Sequence, residues 1–251
     1  MAKELALEIF AHRGSSGEVP ENTLAAFRLA VRQRAAGVEM DVHAAKGGEP
    51  VVIHDELVRR TTGGTGAVGD FSPAELGRMD AGGWFDPSFA GEKVPSLAEV
   101  LHLLAPSPLR IALELKTNVR SYPGLVERVL ESIGRAGLER RVGLSSFNLE
   151  TLAEAMALAP GLEFAVLLDA HPIAPWDFGA RHGFQALHPP LPACTAELVR
   201  QSHAAGLRVR PYTVDDRASA RRLFALGVDG LFTNFPLRMR QWWEQWAAEG
   251  G

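Results

Sequence analysis

Two stretches of this chain alternate acidic and apolar side chains, which sets them apart from ordinary buried strands. In Val38-Glu39-Met40-Asp41-Val42-His43 the two-residue period of a strand sends Glu39, Asp41 and His43 to one face and Val38, Met40 and Val42 to the other. The same arithmetic in Ile111-Ala112-Leu113-Glu114-Leu115-Lys116 puts Glu114 and Lys116 together. Carboxylates gathered on one surface repel and take up protons unless a cation lies among them. Glu39, Asp41 and Glu114 are therefore candidate ligands for a hard divalent ion, Mg²⁺ or Ca²⁺. A competing reading of the same spacing pairs Glu39 and Asp41 with arginines or uses them to cap loops. Lys116 is conspicuous because the chain has only four lysines (Lys3, Lys46, Lys93, Lys116) among 26 basic residues, the other 22 (26 minus 4) being arginine.

His12-Arg13-Gly14 ends an apolar run, and Gly14 opens a small-residue loop that lets backbone approach a ligand. His54-Asp55 follows a second run, Val51-Val52-Ile53. Two histidines at strand ends with an arginine beside one make a candidate general acid/base pair, His12 and His54, plus a phosphate clamp in Arg13.

The elements that must position these groups recur along the chain. Strands are expected at Leu5–Ala11, Val38–Val42, Arg110–Leu115, Val142–Ser145, Phe164–Leu168, Ala186–Leu187, Leu207–Thr213 and Gly230–Phe232. Helices are expected over Asn22–Ala36, Ser96–Leu104 and Tyr122–Ala136, and from near Asn148, Thr195, Asp215 and Pro236. Gly37, Gly206 and Gly227 stand where helices should end in a left-handed turn. About eight such units match a closed (β/α)₈ TIM barrel, whose interior is packed with branched apolar side chains and whose site lies at the carboxyl ends of the strands. An open doubly wound sheet is disfavoured because no G-x-G-x-x-G follows any expected strand. One Gly-rich stretch, at about 55–95, interrupts the rhythm after the second strand. It reads as an insertion covering one side of the barrel mouth, or as a surface excursion clustered around Trp84 and Phe85.

The 251 residues are enough for one such domain spanning 1–251, and 46% hydrophobic with 22% charged residues excludes a disordered or membrane-spanning chain as a whole. A net charge of -4 offers no basic field for nucleic acid. The single Cys194 and an N-terminal run interrupted by acidic residues lead to the expectation of a cytoplasmic protein. Trp242, Trp243 and Trp246 could serve a membrane interface, close the barrel or form a homodimer face.

His12-Arg13-Gly14, Pro20-Glu21-Asn22-Thr23, Glu39-Met40-Asp41, His54-Asp55, Arg60-Thr61-Thr62, Glu114-Leu115-Lys116, Gly227-Val228-Asp229-Gly230 and Thr233-Asn234-Phe235-Pro236 together resemble, in order and spacing, the glycerophosphodiester phosphodiesterase family. The resemblance covers essentially the whole chain. It implies a TIM barrel with a small insertion after the second strand, a divalent cation, and hydrolysis of glycerophosphodiesters to glycerol 3-phosphate and an alcohol. It assigns Glu39, Asp41 and Glu114 to the metal, His12 and His54 to acid/base catalysis, and Arg13 and Lys116 to the substrate phosphate. Tyr212 and Asn234 depart from the residues common there, Trp and Asp. His43, His102, His171, His182, His188 and His203 acquire no role from it. The rival readings are a lipid-cleaving phospholipase on a related barrel, a barrel that binds a phosphorylated ligand without turnover, and a Schiff-base lyase using Lys116.

Overall fold

The computed structural model describes residues 7–170 and 173–250. Eight parallel strands run in the order β8-β7-β6-β5-β4-β2-β1-β9: β1 (Glu8–Ala11), β2 (Gly37–Ala44), β4 (Arg110–Leu115), β5 (Val142–Ser146), β6 (Glu163–Leu167), β7 (Ala186–His188), β8 (Arg208–Val209) and β9 (Gly230–Thr233). The ring closes through backbone bonds from Asp229 N–H to Val209 O (3.1 Å), Phe232 N–H to Pro211 O (3.0 Å) and Val214 N–H to Phe232 O (2.9 Å). A short β3 (Pro50–Val52) folds back antiparallel on β2. Helices alternate with the strands: α1 (Leu24–Arg32), α4 (Leu97–Leu104), α5 (Leu125–Ala136), α6 (Leu149–Leu158), α7 (Pro175–Arg181), α8 (Ala196–Ala204), α9 (Arg217–Leu226) and α10 (Pro236–Ala248). This is the expected TIM barrel. The expected strand start at Leu5 and Ala6, and His171, lie outside the described residues.

The caps explain several boundaries. Ser96 accepts from Glu99 N–H while Glu99 reaches back to Ser96, the reciprocal pair that starts α4. Asn148 and Thr195 start α6 and α8 in the expected places, and Asp216, one residue later than expected, starts α9. Gly227 is left-handed as expected (φ 70°), and so is Gly206 (φ 77°). Gly37 is not a helix end: it is the first residue of β2, and a Cβ there would lie 2.5 Å from the Phe10 ring. The left-handed residue after α1 is Arg34 (φ 55°).

The branched apolar side chains expected inside the barrel face outward instead. Ile9, Val38, Met40, Ile111, Leu113, Leu144, Val166, Leu187, Val209 and Leu231 pack under the helices in one large core. The alternate positions point inward and form layers. At the floor, Arg110 and Arg208 pair with Glu163, Arg110 also with Glu8, and Arg210, only 2% exposed, bridges Glu8 and Glu163. Phe10, Ala112 and Phe232 lie above, with the Arg210 guanidinium 5.4 Å from the Phe10 ring centre. A narrow barrel of aromatic and ion-paired side chains needs no aliphatic filling.

Between β3 and α4 the chain makes the insertion, with α2 (Arg59–Thr62), α3 (Pro73–Leu76) and two 3₁₀ turns. It carries its own core of Ala45, Val51, Ile53, Val58, Val68, Leu76, Ala81 and Val94. That core is not built on Trp84 and Phe85, since Trp84 is exposed. In α10, Trp243 and Trp246 stack on each other and meet Phe224 of α9 edge-on and tilted, and the three tryptophans are half-buried. Among the described residues no helix is long and apolar enough to cross a membrane.

Candidate active site

The strand register builds the centre directly. Asp41 of β2 lies opposite Glu114 of β4, so both inward side chains meet at the upper end of the barrel, with Glu39 one step below on β2. One oxygen from each of the three carboxylates lies within 4.8 Å of the others, and all three residues are buried. Burial, and next the charge of Asp41, drive the Glu39 carboxyl well above its usual range and hold Glu114 at about 7. Burial opposes ionisation of Asp41 too, but Arg13, His54 and Lys116 outweigh it and keep Asp41 below the ordinary carboxylate range. Three buried hard-oxygen donors with incomplete charge compensation fit Mg²⁺ or Ca²⁺.

The competing reading of these acids is realised as well. Arg13 Nε lies 3.3 Å from Asp41 Oδ2, and Lys116 Nζ lies 2.8 Å from Glu114 Oε1 and 3.6 Å from Asp41 Oδ1. Arg13 also donates its backbone N–H to Glu39 (2.9 Å) from a left-handed conformation (φ 55°). Gly14 makes that turn possible: its φ is 79°, and a Cβ there would come within 2.5 Å of the Ala26 Cβ. Asn22, also left-handed, donates to Asp41 Oδ2 (2.8 Å) and holds it against β2.

His12 and His54 both reach the same cavity of about 210 Å³, lined also by Arg13, Glu39, Glu114, Lys116, Ser145, Phe147, Leu167, His188, Tyr212 and Phe232. The two imidazoles are held differently. Asn234 Nδ2 donates to Asp215 (2.6 Å), which turns Asn234 Oδ1 toward His12 Nδ1 at 2.8 Å. An amide oxygen only accepts, so Nδ1 carries the proton and Nε2 keeps its lone pair, 3.9 Å from Glu39. Burial, and then the Arg13 charge, lower the His12 pKa to about 4. His54 Nδ1 instead donates to the Asp55 carboxylate at 2.6 Å. The cavity thus brings together every site residue expected from the sequence, with Asp41 directly beneath its lining.

Several contacts escaped the sequence. His43, which acquires no role from the resemblance, is buried and bonds the His54 carbonyl through Nε2 (3.0 Å), with Tyr122 OH 3.3 Å from its Nδ1. His188 lines the cavity, and its Nε2 has no hydrogen-bond partner. His203 pairs with Asp229, His182 bonds the Phe178 carbonyl, and His102 is exposed. Asn22 and Asn234 stand in motifs already singled out, but their targets, Asp41 for the first and Asp215 and His12 for the second, are distant in sequence. Tyr212 forms one wall, its hydroxyl donating to the Leu168 carbonyl.

The profile of the Glycerophosphoryl diester phosphodiesterase family matches residues 12–238. A glycerophosphodiester phosphodiesterase of Caldanaerobacter subterraneus subsp. tengcongensis is 40% identical over 228 residues, 91% of this chain and 94% of that protein. One from Bacillus altitudinis is 39% identical over 92% of this chain and 96% of its own length. Among solved structures, an Oleispira antarctica phosphodiesterase in complex with the product sn-glycerol-3-phosphate superimposes with a TM-score of 0.85 at 31% identity, covering 94% of this chain and 96% of that one. A glycerophosphodiester phosphodiesterase from Agrobacterium tumefaciens gives 0.81 at 32% identity, covering 94% and 100%. With the fold, the profile and these relatives in agreement, the chain belongs to the glycerophosphoryl diester phosphodiesterase family and is a phosphoric diester hydrolase.

Proposed function

We propose that this chain, acting as one unit over residues 1–251, hydrolyses glycerophosphodiesters such as glycerophosphocholine and glycerophosphoethanolamine to sn-glycerol 3-phosphate and an alcohol. The observation that carries the reading is one cavity bordered by two differently held histidines, two cations and a buried carboxylate triad. Glu39, Asp41 and Glu114 would hold Mg²⁺ or Ca²⁺, which supplies Lewis-acid stabilisation of the phosphoryl oxygens when bound. A single buried cysteine, Cys194, with no disulfide partner favours the cytoplasm as its place of action.

The remaining work falls to the side chains. Arg13 and Lys116 offset charge growing on the phosphoryl group, the largest contribution expected in a water-poor site. His12, neutral at pH 7 with Nε2 unprotonated, takes the proton of the nucleophile, either water or the neighbouring glycerol hydroxyl. His54, whose Nδ1 is held by the Asp55 carboxylate, gives a proton from Nε2 to the leaving alkoxide. Each transfer is worth about 10² to 10⁴-fold. Phosphorus NMR of glycerophosphocholine incubated with the protein tests the reading: glycerol 3-phosphate should accumulate, and a transient cyclic phosphate would identify the glycerol hydroxyl as nucleophile. Unchanged substrate would refute it.

A further inference from the structure

Two of the segments that carry the family resemblance, Pro20-Glu21-Asn22-Thr23 and Arg60-Thr61-Thr62, hold side chains with no part in the chemistry above. The structure joins them. Arg60 of α2 grips Glu21 through two bonds (2.8 and 2.7 Å) and Asp55 through two more (2.7 and 2.9 Å). Asp55 in turn accepts from His54 Nδ1, and Glu21 accepts from Arg13 at 2.9 Å. The result is one chain of alternating charge, His54–Asp55–Arg60–Glu21–Arg13, that spans from the insertion to the loop after β1.

We propose that Arg60 is a positioning residue: by holding Asp55 and Glu21 at once it locks the insertion to the loop after β1 and keeps His54 oriented, with Nε2 free, toward the phosphodiester. The proposal rests on the role given to His54 above. A carboxylate only accepts, so Asp55 fixes the proton on Nδ1, and Asp55 itself has no second cation among its hydrogen-bond partners. Planarity matters, because only a guanidinium presents two edges to two carboxylates. The Trp84 ring, 6.0 Å from the Arg60 guanidinium, flanks it. Arg60 is 41% exposed and Asp55 30%. Exposed ion pairs contribute little to stability, so what Arg60 supplies is geometry.

A double-mutant cycle on kcat tests this, using glycerophosphocholine with the full-length wild type, Arg60→Met, His54→Gln and the double variant. Arg60→Met should lower kcat about 10- to 100-fold, as misplaced groups do. In the His54→Gln background the same change should cost less than about twofold, since the group it positions is gone. Arg60→Lys, a point charge on a flexible stem, should recover only part of the loss. An equal loss in both backgrounds would overturn the proposal, because a general structural defect multiplies through, and so would a kcat within about twofold of wild type for Arg60→Met. A p-nitrophenyl phosphodiester, whose leaving group needs no proton, separates the two levels. If it restores both Arg60→Met and His54→Gln, positioning and the acid role both stand. If it restores neither while the cycle still collapses, the acid role of His54 fails and the positioning role of Arg60 stands.

Discussion

Replacing Glu163 by Gln removes one charge from the barrel floor without changing its volume. Glu163 is 14% exposed, and its carboxyl is held at about 2 rather than 4.5: burial works against ionisation, but Arg210, Arg208 and Arg110 outweigh it. At about 1.4 kcal/mol for each tenfold change in proton affinity, that drop corresponds to about 3 kcal/mol of stability at neutral pH. Because the folded-state value is the depressed one, the contribution is complete above about 4.5, declines as the pH falls toward 2, and is absent below. Urea unfolding at several pH values reads it directly. Glu163→Gln should be about 3 kcal/mol less stable than wild type at pH 7, and the gap should close between pH 4.5 and 2. A gap that stays constant with pH would mean that packing or hydrogen bonding, rather than charge, was lost. A gap under about 1 kcal/mol at pH 7 would mean that water screens the arginines as it does at a surface. In either case the electrostatic reading of the floor would be wrong.

Five further substitutions probe the upper end of the barrel. His12→Gln and His54→Gln should each lower kcat by about 10² or more, and a p-nitrophenyl phosphodiester should rescue only His54→Gln; rescue of both or neither refutes the division of roles. Glu114→Gln should raise the metal concentration for half-maximal activity, whereas Lys116→Met should leave it unchanged and instead lose about 2 to 4 kcal/mol of transition-state stabilisation. Mg²⁺ titration of both variants decides: rescue of Lys116→Met by excess metal would mean the two residues have been interchanged. Gly14→Ala forces a Cβ into contact with Ala26 and strains a left-handed turn, so it should lower stability by about 1 to 3 kcal/mol in thermal unfolding. A variant as stable as wild type would show that the loop after β1 relaxes freely.

What could be read from the sequence follows from the range of each signal. The alternation in β2 and β4 is local, and it placed Glu39, Asp41, Glu114 and Lys116 on the correct faces before any strand order was known. Helix starts at Ser96, Asn148 and Thr195 carry their own capping chemistry within a few residues. Helix α7 carries little sequence signal because Pro175–Arg181 is short and interrupted by Gly179, whose missing Cβ makes room for Leu207. Gly37 misled because a glycine at a helix end and one that admits a ring into a barrel look alike in sequence. The floor was invisible for another reason. Glu8, Arg110, Glu163 and Arg208 begin four separate strands and Arg210 follows β8, and these side chains meet only when the ring closes. Arg60 and Glu21 were visible as motifs, but their joint grip exists only once the insertion folds over the barrel mouth.

The claim that Glu39, Asp41 and Glu114 hold a divalent cation that the hydrolysis requires is the one on which the mechanism turns. Release of glycerol 3-phosphate from glycerophosphocholine, followed before chelation, after exhaustive EDTA treatment and after adding back Mg²⁺ or Ca²⁺, measures it. Turnover should vanish on chelation and return with the ion. Full activity in the chelated protein would contradict it.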